Sequence, residues 1–138
     1  MRCLRCAIVE DEPLAIQMLN GYISKRFDLT LITTIDNVFD FNAIIKEIVL
    51  DVIFLDFKTR GFDGDIDKIL KKIPSNLAIV NISASPISYF RNTESVESNN
   101  RIYELLKPFS FEKFNRCIDS LLGKKTYPTN SFRDTKQN

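Results

Sequence analysis

No histidine occurs among the 138 residues. Nucleophilic catalysis of the Ser-His or Cys-His kind therefore has no general base, and a four-ligand zinc site would have to recruit carboxylates. Long apolar runs are missing too. None approaches the ~18 residues of a membrane span, and the amino terminus lacks a signal-peptide core, so a cytoplasmic protein with no membrane association is the expectation. Glycine is scarce, at four residues, and never gathers into a phosphate-cradling loop. Of three cysteines, Cys3 and Cys6 form a C-x-x-C, but they lie in a strand-like run, where residues three apart point to opposite faces; a structural role is expected for both. A strong charge of one sign is also absent: the net is +1, with +3 on the last fifteen residues and about −2 on the first 123. The body of the chain thus offers no basic surface for nucleic acid.

What is present suits one domain of ordinary size. Its centre is Asp51-Val52-Ile53-Phe54-Leu55-Asp56, an apolar run short enough to be a strand buried on both faces of a parallel sheet. Asp56 then stands at the carboxyl edge, where open α/β sheets bind ligands; the alternative is that it caps the turn-rich loop from Phe57 to Gly64. Before it, Cys3 to Val9 reads as a strand ending in Glu10-Asp11-Glu12-Pro13, acids and a proline that start a helix. That helix carries Leu14, Met18 and Tyr22 beside Ala15, Leu19 and Ile23. Leu29 to Ile35 is β-branched and reads as a strand, and Phe41, Ile44, Ile45, Ile48 and Val49 recur at helical spacing. After Asp56 come a helix near Asp65 to Lys72, a strand from Leu77 to Ile82 and a polar stretch, Arg91 to Arg101, read as a frayed helix and loop. A short strand from Ile102 to Leu106 precedes a helix capped by Ser110 and ended by Gly123. Residues 124–138 are polar and basic, a linker or tail. Strands alternating with helices predict an α/β fold, a five-stranded parallel sheet wound on both faces.

This arrangement gathers Glu10, Asp11 and Asp56 on one edge, with Ser83 and Lys107 following the fourth and fifth strands. Three like charges close together repel unless a cation lies among them. A hard ion with oxygen ligands, Mg²⁺, fits, and with Lys107 it balances the three carboxylates. A carboxylate there can accept a phosphoryl group whose developing charge the metal and ammonium stabilise.

At this point the chain resembles the receiver domains of two-component response regulators over Arg2 to Gly123. The matching pieces are Ile8-Val9-Glu10-Asp11-Glu12-Pro13-Leu14-Ala15, Ile53-Phe54-Leu55-Asp56 with Gly61 and Asp63-Gly64, Ser83-Ala84, and Leu105-Leu106-Lys107-Pro108-Phe109. The first and last are closest in wording to receivers of the LytTR type. The resemblance implies a flavodoxin-like sheet of order 2-1-3-4-5, with a receiver domain over 1–123 and a linker or tail over 124–138. Asp56 would take a phosphoryl group from a histidine kinase, in a switch that catalyses only its own phosphorylation and dephosphorylation. Glu10 and Asp11 would hold Mg²⁺ directly or through water, together with Asp56 and the backbone carbonyl of Lys58. Ser83 and Lys107 would contact the phosphoryl oxygens, and Lys107-Pro108 would be a cis bond. A homodimer is a further implied partner, and DNA would be met only through a LytTR-type effector domain outside this chain.

Three departures from the family pattern stand out. Thr59-Arg60 replaces a Met-Pro pair, predicting a softer loop. Ser83 to Lys107 is about four residues longer than expected. Glu104 stands three positions before the lysine, where an aromatic switch residue belongs, and is predicted to stay outward. Thr59-Arg60 and Glu104 argue for the alternative of a phosphorylation-independent pseudo-receiver acting as an interaction module, whereas the intact acid set, Ser83 and Lys107 argue against it. An aspartyl phosphatase needs a second aspartate where Lys58 stands. A nucleotide or flavin carrier would meet Glu10 to Glu12 at its first turn.

Overall fold

Leu4–Val9 (β1) is apolar towards both faces, with five of its six residues buried and Arg5 alone exposed, so it can lie only inside a sheet covered on both sides. The computed structural model describes residues 3–62, 64–90 and 100–123. Within them follow α1 (Pro13–Ser24), β2 (Leu29–Ile35), α2 (Val38–Ile44), β3 (Val52–Leu55), α3 (Ile66–Lys72), β4 (Ala78–Asn81), α4 (Ile87–Phe90), β5 (Ile102–Glu104) and α5 (Phe111–Leu121). All strand pairs are parallel, in the order β2-β1-β3-β4-β5, which is the predicted flavodoxin-like winding.

Alternation along the strands divides the core into two layers. Val52 and Phe54 of β3 pack with Leu19 and Ile23 of α1 and Phe114, Ile118 and Leu121 of α5. Ile53 and Leu55 pack on the other face with Phe41 of α2 and Ile66, Ile69 and Leu70 of α3. Burying each such side chain contributes about 1.5–3 kcal/mol, so the two layers together fix the register of β3 against its neighbours. Phe54 stacks on Phe114 with ring centroids 5.9 Å apart, and Tyr22 meets Phe114 at 5.6 Å.

Helix starts follow local chemistry. Pro13 opens α1; Asn37, Asp65 and Ser110 accept backbone N–H groups of Asp40, Lys68 and Lys113 at 2.8, 3.3 and 3.1 Å, each cap contributing on the order of 1 kcal/mol. At the far end of the sheet, Arg26 grips both oxygens of Asp28 at 2.9 Å and reaches Asp119 at 2.9 Å and Asn115 at 3.0 Å, tying the turn after α1 to α5.

Several expectations are corrected. Leu14 is not part of the buried stripe, being 77% exposed in the first turn of α1. The helical period from Phe41 does not run to Val49: α2 ends at Ile44, and the Glu47 N–H donates to the Ile44 carbonyl at 2.8 Å, a tightened turn that leaves Val49 73% exposed and buries Leu50 instead. β4 and β5 are shorter than Leu77–Ile82 and Ile102–Leu106, although the Leu105 and Lys107 N–H groups still bond the Asn81 and Ser83 carbonyls at 2.8 and 3.1 Å. The frayed helix expected from Arg91 lies, up to Asn99, outside the described residues, as does the basic tail over 124–138.

Cys3 and Cys6 do face opposite ways. Cys3 is exposed against the Thr30 hydroxyl at 2.6 Å, whereas Cys6 is 0% exposed and burial pushes its thiol up to about 12; burial likewise takes Cys117 to about 11. Native protein treated with iodoacetamide at pH 8 is therefore expected to take one rapid label, at Cys3, with the half-buried Cys117 reacting slowly and Cys6 only after unfolding. Peptide mass mapping decides it; rapid native labelling of Cys6 would contradict the buried position.

Candidate functional site

Backbone hydrogen bonds continue past the carboxyl ends of the strands and reach the functional candidates. The Glu10 N–H donates to the Ile35 carbonyl at 2.9 Å, the Asp56 N–H to Val9 at 2.9 Å, the Ile82 N–H to Leu55 at 3.1 Å and the Lys107 N–H to Ser83 at 3.1 Å. Because the strands are parallel, these ends share one edge. The geometry brings Glu10, Asp56, Ser83 and Lys107 together, with Asp11 on the flank.

Lys107 is the hub. Its ammonium donates to Asp56 Oδ2 at 2.8 Å and pairs with Glu10 Oε1, with Glu12 Oε1 further out at 3.9 Å. The Lys107-Pro108 bond is cis. Asp56 Oδ1 accepts the Lys58 N–H at 2.8 Å, and the Ser83 hydroxyl accepts the N–H of Phe57, the residue after Asp56, at 2.8 Å. Burial alone would raise the Asp56 pKa, but the bonds from Lys107, Lys58 and Ser83 outweigh it and hold the carboxyl below its usual range. Asp56 is therefore ionised at neutral pH and available as a nucleophile. Glu10, 1% exposed, goes the other way: burial and the nearby Asp56 charge raise it in spite of Lys107. Lys107 loses from burial but gains more from its two carboxylates, and its pKa rises.

The remaining oxygens are turned to backbone donors. Glu10 Oε2 accepts the N–H groups of Asp11 and Glu12 at 3.0 and 3.2 Å, and Asp11 Oδ2 accepts the Arg60 N–H at 3.0 Å. Consequently no three acidic side chains converge on a metal-sized gap among the described residues. The donor chemistry nonetheless suits a hard divalent ion, since every candidate ligand is an oxygen and the carboxylates carry excess negative charge. Glu10, with both oxygens occupied and buried, is better placed to act through water; Asp11, partly exposed, can reach an ion by leaving one amide.

The loop after Asp56 differs from expectation. Thr59 is 1% exposed, and its hydroxyl bonds the carbonyls of Asp56 at 2.7 Å and Val9 at 3.2 Å. Arg60 adds its N–H to Asp11 and accepts the Val38 N–H at 2.8 Å. Hydrogen bonds thus pin the segment where proline's fixed φ is missing. At Gly61, φ is +91° and an added Cβ would stand 3.1 Å from the Phe39 ring, so the turn needs glycine.

Comparison with solved structures gives the same architecture. The RcsB response regulator of Salmonella typhimurium superposes with a TM-score of 0.73 at 15% identity over 96% of this chain, which spans 65% of the RcsB chain. The response regulatory domain of mrkE from Klebsiella pneumoniae gives 0.70 at 21% identity, covering 87% of this chain and 96% of that one. The chain has the receiver-domain fold. A third receiver domain, from a sensor histidine kinase of Pseudomonas aeruginosa, gives 0.67 at 16% identity over 88% of this chain and 99% of its own, and carries a magnesium ion coordinated in its active-site cleft. No family model and no curated protein matches the chain. Among the described residues of this receiver fold, no helix is long and apolar enough to cross a membrane.

Asn81, and its contact with Glu104, escaped the reading of the sequence. Asn81 and Glu104 meet at the ends of β4 and β5, Asn81 Nδ2 donating to Glu104 Oε2 at 2.7 Å. An amide interrupting the apolar run Leu77 to Ile82 was the available signal, because a buried amide must find partners.

Proposed function

We propose that this chain is a phosphoryl-accepting signalling switch located in the cytoplasm. A carboxylate oxygen of Asp56 attacks the phosphorus of a kinase phosphohistidine; the new O–P bond forms as the P–N bond breaks, and its electron pair leaves with the imidazole, which takes up a proton. Lys107 and the Ser83 hydroxyl receive two of the transferred oxygens, and Phe57 N–H keeps Ser83 oriented. Asp11, Asp56 and the Lys58 carbonyl are the proposed Mg²⁺ ligands, with Glu10 acting through water. When bound, the ion would neutralise charge on the phosphoryl oxygens. The single observation behind this reading is the ammonium of Lys107 on Asp56 Oδ2 at 2.8 Å. The wording of the first and last motifs favours a LytTR-type DNA-binding effector domain outside this chain as the output, and a homodimer is a further proposed partner. The test of the acceptor chemistry is labelling by acetyl phosphate with Mg²⁺, giving a base-labile adduct that a chelator prevents.

A second reading, the phosphorylation-independent interaction module, is favoured by the convergence of Glu10 and Asp56 on Lys107 rather than on a metal gap. Magnesium titration separates the two. Binding in the millimolar to sub-millimolar range is expected, as for an ion that keeps most of its water, and Asp11→Ala should weaken it about tenfold. Tyrosine fluorescence can report it, since the chain has no tryptophan and Tyr89 lies 5.9 Å from the Lys58 ammonium. Affinity unchanged in Asp11→Ala would remove Asp11 from the metal site; no saturation at all would favour the interaction module.

A further inference from the structure

Asn81 is 0% exposed although it ends an otherwise apolar strand, and its side chain bonds both the loop after β4 and the end of β5. Its Oδ1 accepts the Ser83 N–H at 2.9 Å, and its Nδ2 donates to the Ser85 carbonyl at 3.0 Å and to Glu104 Oε2 at 2.7 Å. Glu104 pairs with Asn81 across β4 and β5, and its other oxygen accepts the N–H of Ile87, the first residue of α4, at 2.8 Å. Residues 83 to 87 are therefore bracketed from both sides, by a buried amide at Ser83 and Ser85 and by a carboxylate at Ile87. The same Ser83 hydroxyl accepts the N–H of Phe57, the residue after Asp56, at 2.8 Å. A pull on Ser83 must strain the Asn81 contacts first, because one side chain holds Ser83, Ser85 and Glu104 together.

We infer that Asn81 and Glu104 are positioning residues that form a polar clamp on the segment from Ser83 to Ile87, holding the Ser83 hydroxyl on the Phe57 N–H next to Asp56 and opening at Ile87 when a phosphoryl group draws Ser83 inward. This rests on the phosphoryl-acceptor reading of Asp56. The clamp lets the site report its state to α4 without any ring changing place, since the moving parts are one amide and one carboxylate. Glu104 is exposed and borders the groove between β5 and α5 formed with Tyr103, Arg116 and Cys117, so its release alters a surface a partner can read.

Amide exchange at Ile87, followed by NMR on the whole chain, tests this. In the free protein, Glu104→Ala is expected to speed Ile87 exchange about 5- to 10-fold, the effect of losing one hydrogen bond on local opening, while Phe114 in α5 is unchanged. Glu104→Gln keeps one carbonyl acceptor and should fall between the two. Beryllium fluoride with Mg²⁺, its binding read by ¹⁹F NMR, should speed Ile87 exchange in the parent and change it little in Glu104→Ala. Equal Ile87 exchange in parent and Glu104→Ala would overturn the clamp. So would a bound ¹⁹F signal with Ile87 exchange unmoved in the parent. If no fluoride binds, the acceptor reading and the release step fail together, and the free-protein comparison alone decides whether the clamp holds the loop.

Discussion

Asp56→Asn is expected to reduce acyl-phosphate labelling to below about 1% of the parent, because an uncharged amide oxygen is not a competent nucleophile. The substitution keeps the size of the side chain, and its carbonyl can still accept the Lys58 N–H that Asp56 Oδ1 takes at 2.8 Å. The fold should therefore survive, and circular dichroism with a thermal melt provides that control. What changes is the charge. In the parent, Lys107, Lys58 and Ser83 hold the carboxyl ionised in spite of its burial, so at neutral pH nearly every molecule carries the reactive form. Acetyl phosphate with Mg²⁺, followed by mass spectrometry and mild base, measures the outcome. Labelling of the mutant at the parental level would move the acceptor elsewhere, with Asp11 the next carboxylate to test.

Lys107→Met is expected to destabilise the fold by about 2–4 kcal/mol near neutral pH, since it leaves two buried carboxylates facing each other without their cation. Glu10 and Asp56 are 1% and 7% exposed, and the Lys107 side chain retains 22% exposure, which softens the loss relative to a fully buried pair. The pH dependence has a definite sign. Asp56 has a lowered pKa, so it stabilises the folded parent above its ordinary value of 3.8 and that contribution disappears as pH falls below it. Glu10 has a raised pKa, so folding favours its protonated form below about its ordinary 4.5 and disfavours its ionised form above. Lys107, raised, contributes fully below 10.5 and loses its share as pH climbs beyond. Removing the ammonium raises both carboxylates, so the deficit should be greatest between pH 6 and 9 and shrink towards pH 4, where both can protonate. Urea unfolding at pH 7 and pH 4 reads the difference directly. An equal deficit at both values would show that Lys107 acts through the packing of its stem rather than through its charge.

The same reasoning separates what different residues could reveal in advance. Val52 to Leu55 announces a buried parallel strand because the pattern is local: four apolar side chains in a row, with Asp56 at the end, need no partner to be recognised. Pro13 and Ser110 mark helix starts by backbone chemistry confined to one turn. Parallel winding then forces every strand's last residue to one edge, which is why Glu10, Asp56, Ser83 and Lys107 could be grouped from order alone. Leu14 and Val49 misled because helical period says which residues share a stripe, not where the covering element stops.

By itself, then, the sequence determined the strand and helix order, the parallel sheet and the identity of the carboxylates and lysine on its edge, since these follow from periods and caps within a few residues. Only the tertiary structure decided which atoms meet. Lys107 sits between Glu10 and Asp56 rather than beside them, Thr59 pins a loop that lacks proline, Arg26 joins Asp28 to Asp119, and Glu104 turns to Asn81 and Ile87. The Lys107 ammonium pairs across 51 residues of chain with Asp56, and Arg26 across 93 with Asp119. A hydrogen bond depends on angstroms and angles that no spacing along the chain encodes; only the packing of two core layers against one sheet brings such distant groups within reach.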